Sequence, residues 1–169
     1  KRWMYEESLK MPLIVSWPGI TEAGSKSEEM VQNLDYAETF LDMAGADIPD
    51  DMQGKSLVPL LKGEGGDKPF RDAIYYHYYE YPSVHMVPRH NGVRTARYKL
   101  INFYEFGDKE LYDLEKDPDE LTNVYGNADY AKIQEEMDLK LIEVVEKYND
   151  DSVGPEKPQA WQDGFMKAK

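Results

Sequence analysis

Apolar residues come in short blocks whose spacing changes along the chain. A run at residues 13–17, introduced by Pro12 and ended by Pro18-Gly19, predicts a buried strand. Residues 21–29 are polar around Gly24 and predict a surface loop. Leu34, Ala37, Phe40, Leu41 and Ala44 then recur at helical spacing, with Asn33 placed to cap the helix and Gly45 to end it. That helix is expected to pack on the sheet containing residues 13–17. Residues 47–66 are rich in Gly, Pro and Asp around one apolar turn at 57–61, a composition that marks a boundary between structural units.

From Arg71 the pattern becomes strand-like. Residues 73–79, 92–97, 98–104 and 110–114 read as four strands, the last closed by the turn-forming Lys116-Asp117-Pro118-Asp119. Strands that follow one another without intervening helices favour an antiparallel sheet. Residues 129–148 carry Ile133, Met137, Leu141, Val144, Val145 and Tyr148 on one helical face, which can cover one side of that sheet. Three segments follow: 1–66, ending in a linker; 67–149, a sheet-and-helix unit; and 150–169, a tail with Pro155, Pro158 and few apolar residues, expected to be extended. The opening residues lack an initiator Met and lead straight into a strand that needs neighbours, so the chain reads as the middle of a larger protein.

Composition narrows the function. Among 169 residues the formal charge is −13, which argues against nucleic-acid binding, because phosphate contacts need clustered Lys and Arg. No apolar run reaches the roughly 20 residues that span a bilayer. There is no cysteine, hence no disulfide and no thiolate chemistry, and no Asn-x-Ser/Thr acceptor. Both absences fit a bacterial periplasmic or surface protein better than a glycosylated lysosomal one.

Two places could carry chemistry. Lys1 and Arg2 precede Tyr5-Glu6-Glu7 and could pair with those acids along one helical turn; alternatively, Lys1 offers a compact ammonium to a phosphate or sulfate oxygen. The stretch 77–90 holds all three histidines, His77, His85 and His90, together with Arg89. In a strand Tyr75, His77 and Tyr79 face one way and Tyr76 and Tyr78 the other, either as a half-buried aromatic ladder or as a flat surface suited to a sugar ring. His85 lies on a Pro-bounded loop outside that ladder, and Arg89 could reach a carboxylate or sulfate. The histidine spacings of eight and five residues match no helix-borne metal pair, so no metal ligand is assigned. Neither a Gly-x-Ser-x-Gly elbow nor a Gly-rich phosphate loop is present.

Four ordered blocks carry a family resemblance: Lys-Arg-Trp-Met-Tyr-Glu-Glu-Ser-Leu-Lys-Met-Pro-Leu-Ile-Val-Ser-Trp-Pro-Gly at 1–19, Asn-Leu-Asp-Tyr-Ala-Glu-Thr-Phe-Leu-Asp-Met-Ala-Gly at 33–45, Met-Gln-Gly-Lys-Ser-Leu-Val-Pro-Leu-Leu-Lys-Gly at 52–63, and Glu-Leu-Tyr-Asp-Leu-Glu-Lys-Asp-Pro at 110–118. Residues 1–148 thereby resemble the C-terminal portion of type I, formylglycine-dependent sulfatases. The block 75–101 is similar to the subgroup acting on N-acetylglucosamine 6-sulfate in glycosaminoglycan breakdown. The resemblance implies an α/β, alkaline-phosphatase-like enzyme, of which this chain is mainly the C-terminal α+β unit, a four-stranded antiparallel sheet on a long helix. Residues 1–66 would then be the terminal strand, helix and linker of the large catalytic domain.

It also implies a sulfated sugar as substrate and the N-terminal catalytic domain of the same chain as partner. The formylglycine nucleophile and the calcium ligands would both lie before residue 1, leaving the fragment inactive alone and without a metal of its own. Lys1 matches the lysine that touches the sulfate in that family, and His85 the loop histidine that meets the sugar; Arg89, His90 and His77 are further substrate-binding candidates. An autonomous carbohydrate-binding module, a structural packing unit and a phosphoryl-transferring relative are the alternatives.

Overall fold

The computed structural model describes residues 2–152 and divides them between a unit Pro12–Asp72 and a unit made of residues 2–11 with 73–152. Lys1 and most of the predicted tail, 153–169, lie outside the described residues.

Residues 2–11 contribute one helical turn, α1 (Glu6–Leu9), to the second unit. The first unit holds α2 (Asp35–Met43) and the single turn α3 (Val58–Leu61). The second adds β1 (Ala73–Tyr78), β2 (His90–Thr95), β3 (Tyr98–Phe103), β4 (Asp108–Asp113) and the long α4 (Ala131–Lys147), preceded by a 3-10 turn at Ala128–Tyr130. The sheet order is β1-β2-β3-β4, antiparallel throughout, as the strand succession predicts. β2 begins two residues earlier than expected because His90 and Asn91 pair with Tyr78 and His77 of β1.

Both faces of this sheet are covered. On one, Ala73, Val93, Leu100 and Leu111 meet Met137, Leu141 and Val144 of α4, with Ile133, Val145 and Tyr148 packed around them, the stripe that the helical spacing predicts. A fully buried Val, Leu or Met side chain of this kind contributes roughly 1.5–3 kcal/mol. On the other, Ile101, Phe103 and Tyr112 lie under Met4. Met4 is fully buried because Gly92 leaves it room: a Cβ there would stand 2.4 Å from both Met4 Sδ and Leu100 O. Gly92→Ala is therefore expected to destabilise by about 1–3 kcal/mol through overpacking, although Gly→Ala in an unobstructed strand would be neutral or helpful. Urea unfolding checks this; a change below about 0.5 kcal/mol would mean that Met4 and the strand shift aside without cost.

The first unit departs from the expectations in two ways. Residues 13–17 form no strand: Ile14 is 91% exposed, and among the described residues they join no β-ladder, the Trp17 backbone bonding only in a turn to Ile20 and Thr21. A strand is completed by its neighbour, so apolar composition alone does not make one. In α2 the side chains buried within the unit are Asp35, Glu38 and Thr39, while Leu34, Phe40 and Met43 stay exposed. Hydrogen bonding turns the polar face inward. Glu38 accepts from Gly54 N–H at 2.6 Å, and Thr39 Oγ1 donates to Asp35 O and accepts from Leu57 N–H. Asn33 does not cap the helix; Asp35 Oδ2 accepts from Gln32 N–H instead. Gly45, at φ +66°, ends it as expected, in a conformation that suits glycine.

Candidate functional site

The histidine-bearing stretch spans the end of β1, the loop 79–89 and the start of β2. Alternation along β1 sends Tyr75 and His77 to the α4 side. There His77 Nδ1 meets Asp150 Oδ2 at 2.5 Å and Nε2 meets Tyr104 Oη at 2.8 Å, with the His77 side chain only 2% exposed. Tyr75 and Tyr79 donate to the same Asp150 oxygen at 2.6 and 3.2 Å, and Tyr79 lies 3.9 Å from the His77 ring between centroids. Burial alone would raise the Asp150 carboxyl; hydrogen bonds from Ser152, Tyr75 and His77 more than offset it and hold the group well below the usual range. Both ring nitrogens of His77 are thus engaged within the protein, tying β1 to the chain beyond α4.

His90, opposite Tyr78, projects from the other face. It is fully buried among Trp3, Tyr76, Tyr78 and Phe103, with the Trp3 ring stacked on it at 5.9 Å and 19°. Nδ1 donates to Pro88 O at 2.8 Å, which assigns the tautomer and leaves Nε2 an acceptor without a partner among the described residues. Burial pushes the pKa below its ordinary 6.5, against the opposing effect of the Pro88 carbonyl. A depressed histidine pKa means that the folded state holds the ring neutral while the unfolded chain binds a proton more readily. Its stabilising contribution is complete above about 6.5 and is lost as pH falls through the lower folded value. A fall in melting temperature as pH drops below about 6.5 is expected, and His90→Phe is expected to flatten it. An unchanged slope in the variant would remove His90 as the source. Asp150 and Glu6, both depressed carboxyls, act only at lower pH, below about 4 to 4.5.

The loop between them has a held base and a free tip. Tyr81 and Val87 are buried, whereas Val84 is 94% exposed and His85 and Met86 stand in solvent. His85 has no hydrogen-bond partner among the described residues. Arg89 turns back on the loop: Nε donates to Tyr79 O at 3.0 Å, Nη2 donates to Tyr81 O, and Nη1 lies 3.2 Å from Glu105 Oε1, at ion-pair distance without the in-line geometry of a hydrogen bond. Burial raises the Glu105 carboxyl and the Arg89 charge opposes that rise. The four loop and strand candidates are therefore not brought together into one surface. His77 and His90 are interior groups on opposite faces, Arg89 is occupied by the loop, and His85 alone is offered outward.

The opening segment is held by charge. Arg2 reaches Glu80 at 3.8 Å, not the Glu6-Glu7 pair that helical spacing suggested. Glu6 pairs with Arg94 at 3.2 Å and with the fully buried Lys99 at 2.7 Å, and Lys99 also contacts Glu120 at 2.7 Å. Sequence reasoning missed Lys99, Glu105, Glu120 and Asp150, since nothing in their local spacing marks them. No group of three or more His, Cys, Asp or Glu residues among the described ones could hold a metal ion, and no described helix is long and apolar enough to cross a membrane.

A sequence-family profile described as N-sulphoglucosamine sulphohydrolase, C-terminal, matches residues 1–147. The chain belongs to that family. Within the sulphohydrolase C-terminal family it is 48% identical over 159 residues to an N-acetylglucosamine-6-O-sulfatase of Bacteroides thetaiotaomicron, an alignment covering 93% of this chain and 28% of the relative. A solved structure of a protein in complex with its substrate D-glucosamine-2-N,6-O-disulfate superposes with a TM-score of 0.84 at 48% identity, over 89% of this chain and 31% of that one. The phosphonate monoester hydrolase of Agrobacterium radiobacter superposes at 0.62 with 30% identity, over 75% of this chain and 27% of that one. The chain thus spans about three tenths of the length of these relatives. Its four-stranded antiparallel sheet and long helix are the C-terminal unit of the alkaline-phosphatase-like sulfatase fold.

Proposed function

We propose that this chain is the C-terminal part of a sulfatase that hydrolyses sulfate esters on glycosaminoglycan amino sugars. The observation that carries this reading is the 48% identity, over nearly the whole chain, to a sulfatase named for N-acetylglucosamine 6-sulfate. Support also comes from the likeness to a structure that holds a sulfated glucosamine. On this reading the chain supplies sugar-binding residues, with His85 foremost because its ring alone among the candidates is exposed and uncommitted. Lys1 keeps the sulfate-facing role that family resemblance gives it.

On this reading, calcium and the formylglycine nucleophile, which the family resemblance implies, belong to the rest of the enzyme, where the cation would stabilise developing oxyanion charge. The chain alone is then inactive, and the intact enzyme works in a bacterial periplasm or at the cell surface.

The test is kinetic. In the intact enzyme, His85→Ala is expected to lower kcat/KM for a 6-sulfated N-acetylglucosamine disaccharide by about tenfold, and to lower it far less for a small aryl sulfate that lacks the sugar contact. Equal losses on both would defeat the sugar-contact role. A phosphoryl-transferring relative is the second reading, favoured by the phosphonate monoester hydrolase likeness. Preference for a phosphonate monoester over the sulfated sugar would establish it.

A further inference from the structure

We infer that Arg89 is a positioning residue, clamping the loop 79–89 so that His85 is presented to the sulfated sugar, and does not itself meet the sugar's anionic group. The inference rests on the function proposed above and assigns one part of it. Nothing in the spacing of Arg89 separates these roles, because a free guanidinium beside two histidines is equally suited to an anion. The geometry separates them.

All three guanidinium nitrogens are committed inward: Nε to Tyr79 O at 3.0 Å, Nη2 to Tyr81 O, and Nη1 facing Glu105 Oε1 at 3.2 Å. The Glu105 side chain is 1% exposed and lies two residues beyond the end of β3, so the clamp is anchored beside the sheet. The loop base is fixed on both sides of the tip. The buried Tyr81 ring meets Phe106 edge-on at 6.4 Å, and Val87 is buried where the chain returns to β2. Between these anchors Val84, His85 and Met86 are exposed. A binding side chain on a loop is useful only if its support holds it in place, which is what a rigid base under an exposed tip provides.

The residue type fits the task. Bridging two carbonyl oxygens and a carboxylate needs a planar fork with donors on three sides; a lysine ammonium, a point charge on a flexible stem, cannot span them. The adjacent carboxylate also neutralises much of the charge that an anionic ligand would otherwise feel.

The experiment compares Arg89→Lys and Glu105→Gln with the unaltered intact enzyme by two measurements. One is the ratio of kcat/KM for a 6-sulfated N-acetylglucosamine disaccharide to that for a small aryl sulfate. The other is amide hydrogen exchange of residues 83–87 in the ligand-free protein. Both variants are expected to lower the ratio, by about threefold to tenfold, and to speed exchange in the loop, with Lys giving no rescue. A direct anion contact predicts the opposite: Arg89→Lys retains most of the ratio, while Glu105→Gln leaves ratio and exchange unchanged. Equal losses on both substrates would reduce Arg89 to general structural support and also overturn the inference. Glu105→Gln preserves shape, so it serves if Arg89→Lys fails to fold. If the unaltered enzyme cleaves neither substrate, the proposed function fails; faster exchange at 83–87 in both variants would still support the clamp, and unchanged exchange would refute it.

Discussion

Lys99→Met lowers the unfolding free energy of the sheet unit by about 3–5 kcal/mol, the expected cost of removing one member of a buried ion pair. Lys99 is fully buried on β3, on the face covered by residues 2–11, and its Nζ lies 2.7 Å from Glu6 Oε1 and 2.7 Å from Glu120 Oε1. Glu6 is shared with Arg94 at 3.2 Å, so two carboxylates meet two cations and the cluster is neutral. Burial alone would raise the Glu6 carboxyl, but Arg94 and Lys99 lower it below its ordinary value. Glu120 has a 1% exposed side chain, accepts the Glu6 backbone N–H at 2.6 Å and holds a left-handed φ of +55°. Without Lys99 that carboxylate keeps only the amide, and it must take up a proton or open to water. Urea unfolding followed by fluorescence measures the loss. The double variant Lys99→Met with Glu120→Leu is expected to recover part of it, since replacing a whole buried pair by apolar groups is often close to neutral. A single-variant loss below about 1 kcal/mol would show that the cluster does not hold the opening segment.

Asp35→Ala is expected to cost the Pro12–Asp72 unit a similar amount, about 3–5 kcal/mol. The Asp35 carboxylate is fully buried and accepts four hydrogen bonds, from Arg71 Nη1 and Nη2 at 3.0 and 2.6 Å and from the backbone N–H groups of Gln32 and Lys55 at 2.6 and 2.9 Å. Truncation strands the buried guanidinium, left with Met30 O, and two amides. Asp35→Asn keeps the shape and an acceptor but loses the charge, and a smaller cost of about 1.5–3 kcal/mol is expected. Amide exchange localises the effect. Residues 54–57 and α2 should exchange faster while β1 to β4 keep their protection, because every Asp35 partner lies within the one unit. Uniform acceleration across the sheet as well would contradict that confinement.

These two clusters show where sequence reasoning stops. The four strands and α4 were legible because their apolar positions repeat at periods of two and near four, and both faces of the sheet are covered by residues of this chain. The apolar stripe of α2 was equally legible, yet it misdirected. Asp35, Glu38 and Thr39 are buried through bonds to residues 54–57 and 71, partners that no periodicity reveals. The crowding of three histidines within 77–90 suggested one site, and the register separates them. With Tyr78 opposite His90, the strand reversal puts His77 and His90 on opposite faces, and the eleven-residue loop carries His85 away from both. Arg89 and Glu105 are sixteen positions apart with two strands, β2 and β3, between them, so their pairing had no local signal.

By itself, then, the amino-acid order determined the number, type and succession of the sheet strands, the covering helix, and the short blocks that mark the sulfatase family. Backbone propensity and side-chain alternation act within a few residues, so such features can be read directly. The tertiary structure alone decided which charged and imidazole groups are interior, that residues 13–17 join no sheet, and that one histidine of three is exposed. Those outcomes depend on register and on partners as far apart as Glu6 and Glu120, separated by 114 positions, where the electrostatic cost of burial is settled only once the chain has closed around them.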